Sequence, residues 1–500
     1  MAISSRSVQQ LVDVVGGSLV APETGQIEVS VVDVTHDSRQ AGSGILFVAI
    51  RGAQADGHGF VSGAVATGSP AVCVDHPTGS AVMEIVVPDT RSALGPLAAS
   101  VHGDPSQAMK VIGVTGTNGK TTVTHYIESI TSSAGLSTGL IGTIHTRIGD
   151  EAVRSVHTTP EASDFQRLLA RMRDNGAELA AVEVSSHALE LGRVAATTFA
   201  VAAFTNFSQD HLDFHGDMDS YRAAKMKLFE DYEVGTAVVN IDDEVGKEIA
   251  RSFHGSLLRV GEDGEIRYGG MTPTARGTSF RLTTPWGSVE LTAPVLGSFN
   301  VDNAVLAAAC SLAAGLDFDE VVSGLQSLEG VPGRFEVVSG DDSVRVIVDY
   351  AHTPEGILEA VATARGLGGR RVIALVGAGG DRDQAKRPLM GSPVSRADLA
   401  IVTSDNPRSE DPAAIADAVV SGLDISTESI VDLDRSSAIS KAINAADDGD
   451  IVLILGRGHE PLQEVAGEMR PFDDREVARE ALSRRWMSAG SAPGSGSMDR

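Results

Sequence analysis

Runs of Val, Ile, Leu and Ala without polar alternation recur along the chain. They lie at Ile45–Ile50, Val111–Thr115, Ala180–Val184, Val201–Phe204, Ala237–Ile241, Val344–Val348, Arg371–Val376, Leu399–Thr403 and Ile451–Leu455. A strand apolar on both faces must be covered on both faces, as in a parallel sheet flanked by crossover helices. Most runs lead into helical spacing, as Val111–Thr115 does into Val123–Gly135. The pattern predicts an α/β protein. Gly and Pro interrupt it at Val101–Gln107 and Glu329–Arg334, each time before a fresh strand,. Three α/β units follow, over residues 1–107, 108–333 and 334–487. The stretch 488–500, rich in Ser, Gly and Pro, reads as a disordered tail.

Composition narrows the partners. The 500 residues carry 40 Lys and Arg against 67 Asp and Glu, a formal charge of −27. That balance repels phosphate backbones and excludes bulk nucleic-acid binding, while allowing a local cationic pocket. No window approaches the ~18 apolar residues of a membrane helix, and Met1–Arg6 lacks the apolar core of a secretion signal. Cys73 and Cys310 supply neither a disulfide framework nor a thiolate metal site. The expectation is a cytoplasmic monomer acting on small molecules, without nucleic-acid or membrane partners.

The sharpest local signal is the strand Val111–Thr115 running into Gly116-Thr117-Asn118-Gly119-Lys120-Thr121-Thr122 and then a helical pattern. Such a turn aims successive N–H groups into one concavity at a helix N-terminus, a site for phosphates. Lys120 would reach the β- and γ-phosphates and Thr121 would ligate Mg²⁺. Val114 stands at the first glycine position of the general G-x-x-x-x-G-K-[ST] pattern, and Gly116 supplies the flexibility. The loop predicts ATP binding.

Gly116–Thr122 resembles the ATP loop of the Mur ligases of peptidoglycan synthesis and of their relatives, the folylpolyglutamate synthases. The resemblance continues, in the family's order, through Glu183–Leu189, Asn206–Asp213, Ala223–Lys225, Phe299–Asn303, Pro332–Arg334, Asp349–Pro354, Gly379–Asp383, Asp405–Arg408 and Gly456–Glu460. It implies a uridine-binding N-terminal domain, a central P-loop ATPase domain and a Rossmann-like C-terminal domain that brings the incoming amino acid. It is nearest to the members that extend UDP-N-acetylmuramoyl-L-alanyl-D-glutamate, and it implies ligation through an acyl phosphate. Addition of L-lysine, polyglutamylation of a folate and a P-loop scaffold without ligation are the competing readings.

The resemblance also assigns roles. Glu183, His211 and a carbamylated Lys225, with Thr121, would hold Mg²⁺, the carbamate coming from CO2. Read alone, Glu183 fits a helix cap equally well, His211 an ordinary core or surface histidine, and Lys225 a solvated helix residue with Lys227 as competitor. Asn303, Arg334, Asp349 and His352 would touch ATP. Ser38, within Asp37-Ser38-Arg39, would contact the uridine nucleotide, and Gln54–Gly57 belongs to the same region. Thr158, Thr159, Ser185 and Arg193 would hold the muramoyl-dipeptide. His157 stands where the family often has Asn, and Leu191 where some members have Gln. Arg408 in the turn Asp405-Asn406-Pro407-Arg408 offers a fork for a carboxylate, and Arg382, Gly456 and Glu460 would complete a site for meso-diaminopimelate, whose far end carries the carboxylate that lysine lacks.

Overall fold

A computed structural model describes residues 5–22, 28–52, 55–274, 276–339 and 343–490. Three sheets with mainly parallel strands organise them. Every strand run named above is a strand, within three residues at either end.

The central sheet carries the phosphate loop. Its order is Glu151–Arg154, His145–Ile148, Thr138–Ile141, Leu179–Glu183, Lys110–Thr115, Phe199–Phe204, Val234–Asn240 and Ser256–Val260, parallel except for the first two strands. Alternate residues of one strand enter two separate cores. Ile112, Val114, Ala181, Val201 and Ala203 pack with the helices Lys120–Ser133 and Ser298–Ala313. Val111, Ala180, Val182, Ala202 and Phe204 pack with Phe165 and Leu169 of the helix Ala162–Asp174. Two buried faces explain the missing polar alternation, and each fully buried Val or Ile contributes about 1.5–3 kcal/mol. The loop strand lies between Leu179–Glu183 and Phe199–Phe204, so the three strand ends carrying Gly116, Glu183 and Thr205 share one edge of the sheet. The strand order reverses there, which opens the crevice in which α/β proteins bind ligands.

The N-terminal sheet runs Ser18–Val20, Met83–Val86, Ala71–Val74, Ile45–Val48, Asp33–Thr35, with only the first pair antiparallel. It is fastened to the central unit by Arg167, whose Nε donates to both carboxylate oxygens of Asp33 at 3.1 and 2.9 Å while Nη2 donates to Val34 O at 2.8 Å. The C-terminal sheet runs Glu336–Val337, Arg345–Asp349, Ile451–Leu455, Val372–Val376, Leu399–Val402, Ser429–Val431, again with only the first pair antiparallel.

Three features are absent from the sequence reading. An antiparallel sheet of Arg267–Thr274, Gly277–Thr284 and Gly287–Ala293 inserts before the helix Ser298–Ala313. Hairpins form at His145–Arg154 and Leu462–Pro471. The expected tail also starts too early: the last helix is Asp474–Gly490 and runs three residues into it, while 491–500 lie outside the described residues. Among the described residues no helix is long and apolar enough to cross a membrane.

Candidate active site

The phosphate loop is built on two obligatory glycines. Gly116 has φ +142° and Gly119 φ +87°, and a Cβ would fall 1.8 Å from Thr205 Oγ1 at the first and 2.4 Å from Asn303 Oδ1 at the second. No side chain fits either position. The loop is laced to the neighbouring strand end: Thr117 N donates to Asn206 O at 2.8 Å, Asn118 N to Asn206 Oδ1 at 2.9 Å, and Thr205 Oγ1 to Asn118 O at 2.6 Å. Lys120 Nζ donates to Gly116 O and Thr117 O at 2.9 and 2.8 Å, folded under its own loop. Lys225, buried on the helix Met218–Glu230, donates to the same Gly116 O at 2.7 Å. Burial, and then the charge of Lys120, hold the Lys225 amine well below the usual lysine range,.

Glu183 gathers hydroxyls. Oε1 accepts from Thr143 N at 2.7 Å, and Oε2 accepts from Thr143 Oγ1 and Thr121 Oγ1, both at 2.9 Å. Arg334 Nη2 in turn donates to Thr121 Oγ1 at 3.0 Å, its guanidinium lying over the Tyr350 ring at 4.2 Å. A carboxylate and two hydroxyls are the hard oxygen donors that suit Mg²⁺.

Asp210 is the junction of the units. Oδ1 accepts from Lys386 Nζ at 3.0 Å, and Oδ2 lies 3.4 Å from His211 Nε2 and 3.5 Å from His352 Nε2. Burial pushes the Asp210 carboxyl up, but the His352 hydrogen bond and the charges of His211, His352 and Lys386 outweigh it and hold the group well below the carboxylate range. His211 has φ +55°, and burial lowers its pKa. Asp349 accepts from Phe335 N at 2.6 Å and Ala351 N at 2.9 Å. The result is a cleft of about 510 Å³ whose walls include Thr117, Asn118, Gly119, Lys120, Thr121 and Thr122 with Glu183, His211, Lys225, Asn303, Arg334, Asp349 and His352. Gly116 lies behind it, its carbonyl shared by the two lysines.

Thr158 and Ser185 also line the cleft. Thr159 is buried beneath it, donating to Glu183 O at 2.7 Å. Arg193 lies outside the lining: Nε donates to Glu161 at 3.0 Å and Nη1 to Thr159 O at 3.1 Å, and Glu161 also meets Arg91 at 3.3 Å. Ser38 opens a 3-10 turn in the N-terminal unit and is not among the residues that line the cleft. Gln54 lies outside the described residues.

The amino-acid end is a separate constellation. A Cβ on Gly379 would meet Arg408 Nη1 at 3.2 Å and Arg382 Cγ at 3.6 Å, so the two arginines flank one glycine. Arg382 Nη1 lies 3.7 Å from Asp213 Oδ2 of the central unit. Asn406 Nδ2 donates to Glu460 Oε2 at 2.9 Å, and Arg457 Nη1 to Asn406 Oδ1 at 2.9 Å. Gly456 backs the turn: a Cβ there would lie 2.6 Å from Asp405 Oδ2.

Residues 114–311 match the Mur ligase middle domain, 333–458 the Mur ligase glutamate ligase domain, and 30–102 the Mur ligase family catalytic domain. The chain belongs to the Mur ligase family. It is 43% identical over 450 residues to the UDP-N-acetylmuramoyl-L-alanyl-D-glutamate--2,6-diaminopimelate ligase of Aquifex aeolicus, covering 90% of this chain and 93% of that one. With the enzyme of the same name from Geobacillus kaustophilus it shares 43% over 466 residues, 91% and 95% of the two chains. A solved structure of a ligase of that name aligns with TM-score 0.69 and 32% identity, over 96% of this chain and 99% of the other. The fold also matches the UDP-N-acetylmuramoylalanyl-D-glutamyl-2,6-diaminopimelate--D-alanyl-D-alanyl ligase of Acinetobacter baumannii, with TM-score 0.65 and 23% identity over 98% of this chain and 100% of that one.

In this Mur ligase, sequence reasoning overlooked Thr143, Asp210 and Lys386. Asp210 stands beside His211 in the motif Asn206–Asp213 and was within reach. Thr143 lies 40 residues from Glu183, and Lys386 lies 176 from Asp210, so only the fold pairs them.

Proposed function

We propose that this Mur ligase adds meso-2,6-diaminopimelate to UDP-N-acetylmuramoyl-L-alanyl-D-glutamate at the expense of ATP, in the cytoplasm and as a monomer. The observation that carries the choice of amino acid is the pair Arg382 and Arg408 on either side of Gly379. Two arginines at one glycine, on a turn whose Asn406 also binds the carboxylate of Glu460, fit an amino acid whose far end bears a carboxylate as well as an ammonium. The names of relatives at 43% identity agree.

Amide formation from a carboxylate is uphill, so the carboxylate is activated first. The D-glutamyl carboxylate oxygen attacks the γ-phosphorus of ATP, and the bond from that phosphorus to ADP breaks, so ADP leaves and an acyl phosphate remains. The diaminopimelate amine then attacks the acyl carbon, the tetrahedral adduct collapses, and phosphate departs as the amide forms. Each step crowds anions together, so cations and fixed N–H groups supply most of the stabilisation. Loop N–H groups, Lys120 and Arg334 would face the phosphates, with Asn303, Asp349 and His352 towards the nucleoside. Thr158, Thr159, Ser185 and Arg193 would orient the muramoyl-dipeptide, and Ser38 the uridine.

Thr121, Glu183, His211 and Lys225 are the residues that would hold Mg²⁺, which neutralises phosphate charge when bound. Lys225 fits this set once carbamylated: its neutral amine adds to CO2, releasing a proton and leaving an anionic carbamate. Its lowered pKa supports that reaction.

The test is mass spectrometry of the product formed from the UDP-muramoyl-dipeptide, ATP and an equimolar mixture of meso-diaminopimelate, L-lysine and L-glutamate. The reading requires the diaminopimelate adduct, with ADP and phosphate. A lysine adduct in comparable yield rejects the choice of amino acid.

A further inference from the structure

The hairpin Leu462–Pro471 brings a second carboxylate to the amino-acid end. Its two strands are joined by Ala466 and Gly467, at φ +52° and +79°, the positive values that a tight two-residue hairpin turn needs. One edge of this hairpin is knitted onto the turn Asp405–Arg408. Gln463 Nε2 donates to Asp405 O at 2.6 Å, Glu464 N to Asn406 Oδ1 at 2.8 Å, Arg408 N to Glu464 O at 3.2 Å, and Ala466 N to Arg408 O at 2.8 Å. These bonds hold Arg408 at φ +51°, a conformation a non-glycine residue keeps only when its surroundings over-determine it.

The Arg408 side chain is fixed as well. Nη1 donates to Gly380 O at 2.5 Å, and Nε lies 3.3 Å from Glu464 Oε2. Of the five N–H groups of a guanidinium, this leaves one on Nη1 and two on Nη2 to take a carboxylate. Glu464 is 35% exposed, so its carboxylate faces water beside those groups. The other carboxylate nearby is more committed: Glu460 Oε2 accepts from Asn406 Nδ2 at 2.9 Å, and Oε1 lies 3.4 Å from Tyr350 OH.

We propose that Glu464 is a further specificity-determining residue: with Arg408 it forms a side-by-side pair of opposite charges that takes the distal ammonium and carboxylate of diaminopimelate. The inference rests on the function proposed above. A carboxylate and an ammonium on one carbon lie side by side, as the fork of Arg408 and the carboxylate of Glu464 do. Lysine offers only the ammonium, and 2-aminopimelate only the carboxylate.

The test compares meso-diaminopimelate with 2-aminopimelate in the wild-type enzyme, Glu464→Gln and Glu464→Asp. In the wild type the loss of the ammonium should lower kcat/KM by about 10-fold or more, the range for an unpaired polar group in a binding site. Glu464→Gln should raise KM for diaminopimelate by about 5–20-fold with the KM for ATP unmoved, and should bring the two amino acids within about threefold of each other. Glu464→Asp should keep part of the preference. An undiminished preference in Glu464→Gln, a lower KM for diaminopimelate, or an equal loss with both amino acids overturns the proposal. A wild-type enzyme inactive with diaminopimelate instead overturns the functional reading, so the two failures are separable.

Discussion

Lys386 Nζ donates to Asp210 Oδ1 across 3.0 Å, joining the C-terminal unit to the central one with both side chains nearly buried. Around it Gln209 Nε2 donates to Asp383 Oδ2 at 3.2 Å, and Asn118 Nδ2 to Thr353 Oγ1 at 3.4 Å. The pair therefore sits where the amino-acid unit closes on the phosphate loop. Removing Asp210 strands the buried ammonium of Lys386, a loss of about 3–5 kcal/mol, whereas removing Lys386 leaves Asp210 facing His211 and His352. Lys386→Met and Asp210→Asn should each lower kcat/KM for the amino acid by at least about 10-fold. The double variant should lose less than the product of the single losses. A double-mutant cycle on kcat/KM measures this, and strictly multiplicative losses would show that the pair does not couple the units.

Arg408 and Arg382 should divide substrate binding from chemistry. Arg408→Lys keeps the charge but removes the planar fork, so KM for diaminopimelate should rise about 10- to 10³-fold, with KM for ATP little changed. Arg382→Ala should act in the same direction and narrow the preference over lysine. Steady-state kinetics with both amino acids reads each effect; a rise confined to the KM for ATP would place these arginines elsewhere in the reaction.

Lys225 makes activity depend on CO2. Enzyme stripped of CO2 at mildly acidic pH and assayed in degassed buffer should lose most of its turnover and regain it on addition of bicarbonate. Lys225→Ala should be inactive under both conditions. The same sample, observed by ¹³C NMR with labelled bicarbonate, should show a carbamate resonance that the variant lacks. Full turnover of Lys225→Ala at low bicarbonate would refute the carbamate.

The fold was legible from patterning because its strands are buried on both faces, and Val, Ile and Ala runs such as Ile451–Leu455 have no other stable placement. The antiparallel insertion at Arg267–Ala293 was not, since its outer strand Arg267–Thr274 is almost wholly exposed and carries no apolar run. The site divided in the same way. Gly116–Thr122 is contiguous and readable, whereas Thr143, Lys386 and Glu464 acquire partners only through tertiary contacts. Arg193 could be read from the motif, but its anchoring by Glu161 and Thr159 O comes only from the fold.

Asp302 gives a pH signature. Tyr268 OH donates to its Oδ1 at 2.7 Å at the cleft wall. Burial pushes the Asp302 carboxyl up, Tyr268 opposes this, and Asp242 and Glu359 add to the rise, leaving a pKa of about 6 against an ordinary 3.8. The folded state thus holds more protons than the unfolded one between those values, and stability falls as pH rises through that window. Asp302 is packed against the cleft wall but keeps a water-exposed edge, so the contribution is screened to at most about 1 kcal/mol. Asp302→Asn should therefore raise the Tm at pH 7.5 by about 2 °C and leave it unchanged near pH 4. Thermal melts at the two pH values check this; an equal shift at both would assign the effect to something other than the proton.

The most direct test of the central claim uses UDP-muramoyl-dipeptide carrying ¹⁸O in both oxygens of the reacting D-glutamyl carboxylate. With ATP and meso-diaminopimelate, one ¹⁸O should appear in the released phosphate and one should stay in the new amide, since the carboxylate oxygen that attacks phosphorus leaves with it. Label found in AMP, or phosphate free of ¹⁸O while the amide forms, would contradict activation through an acyl phosphate.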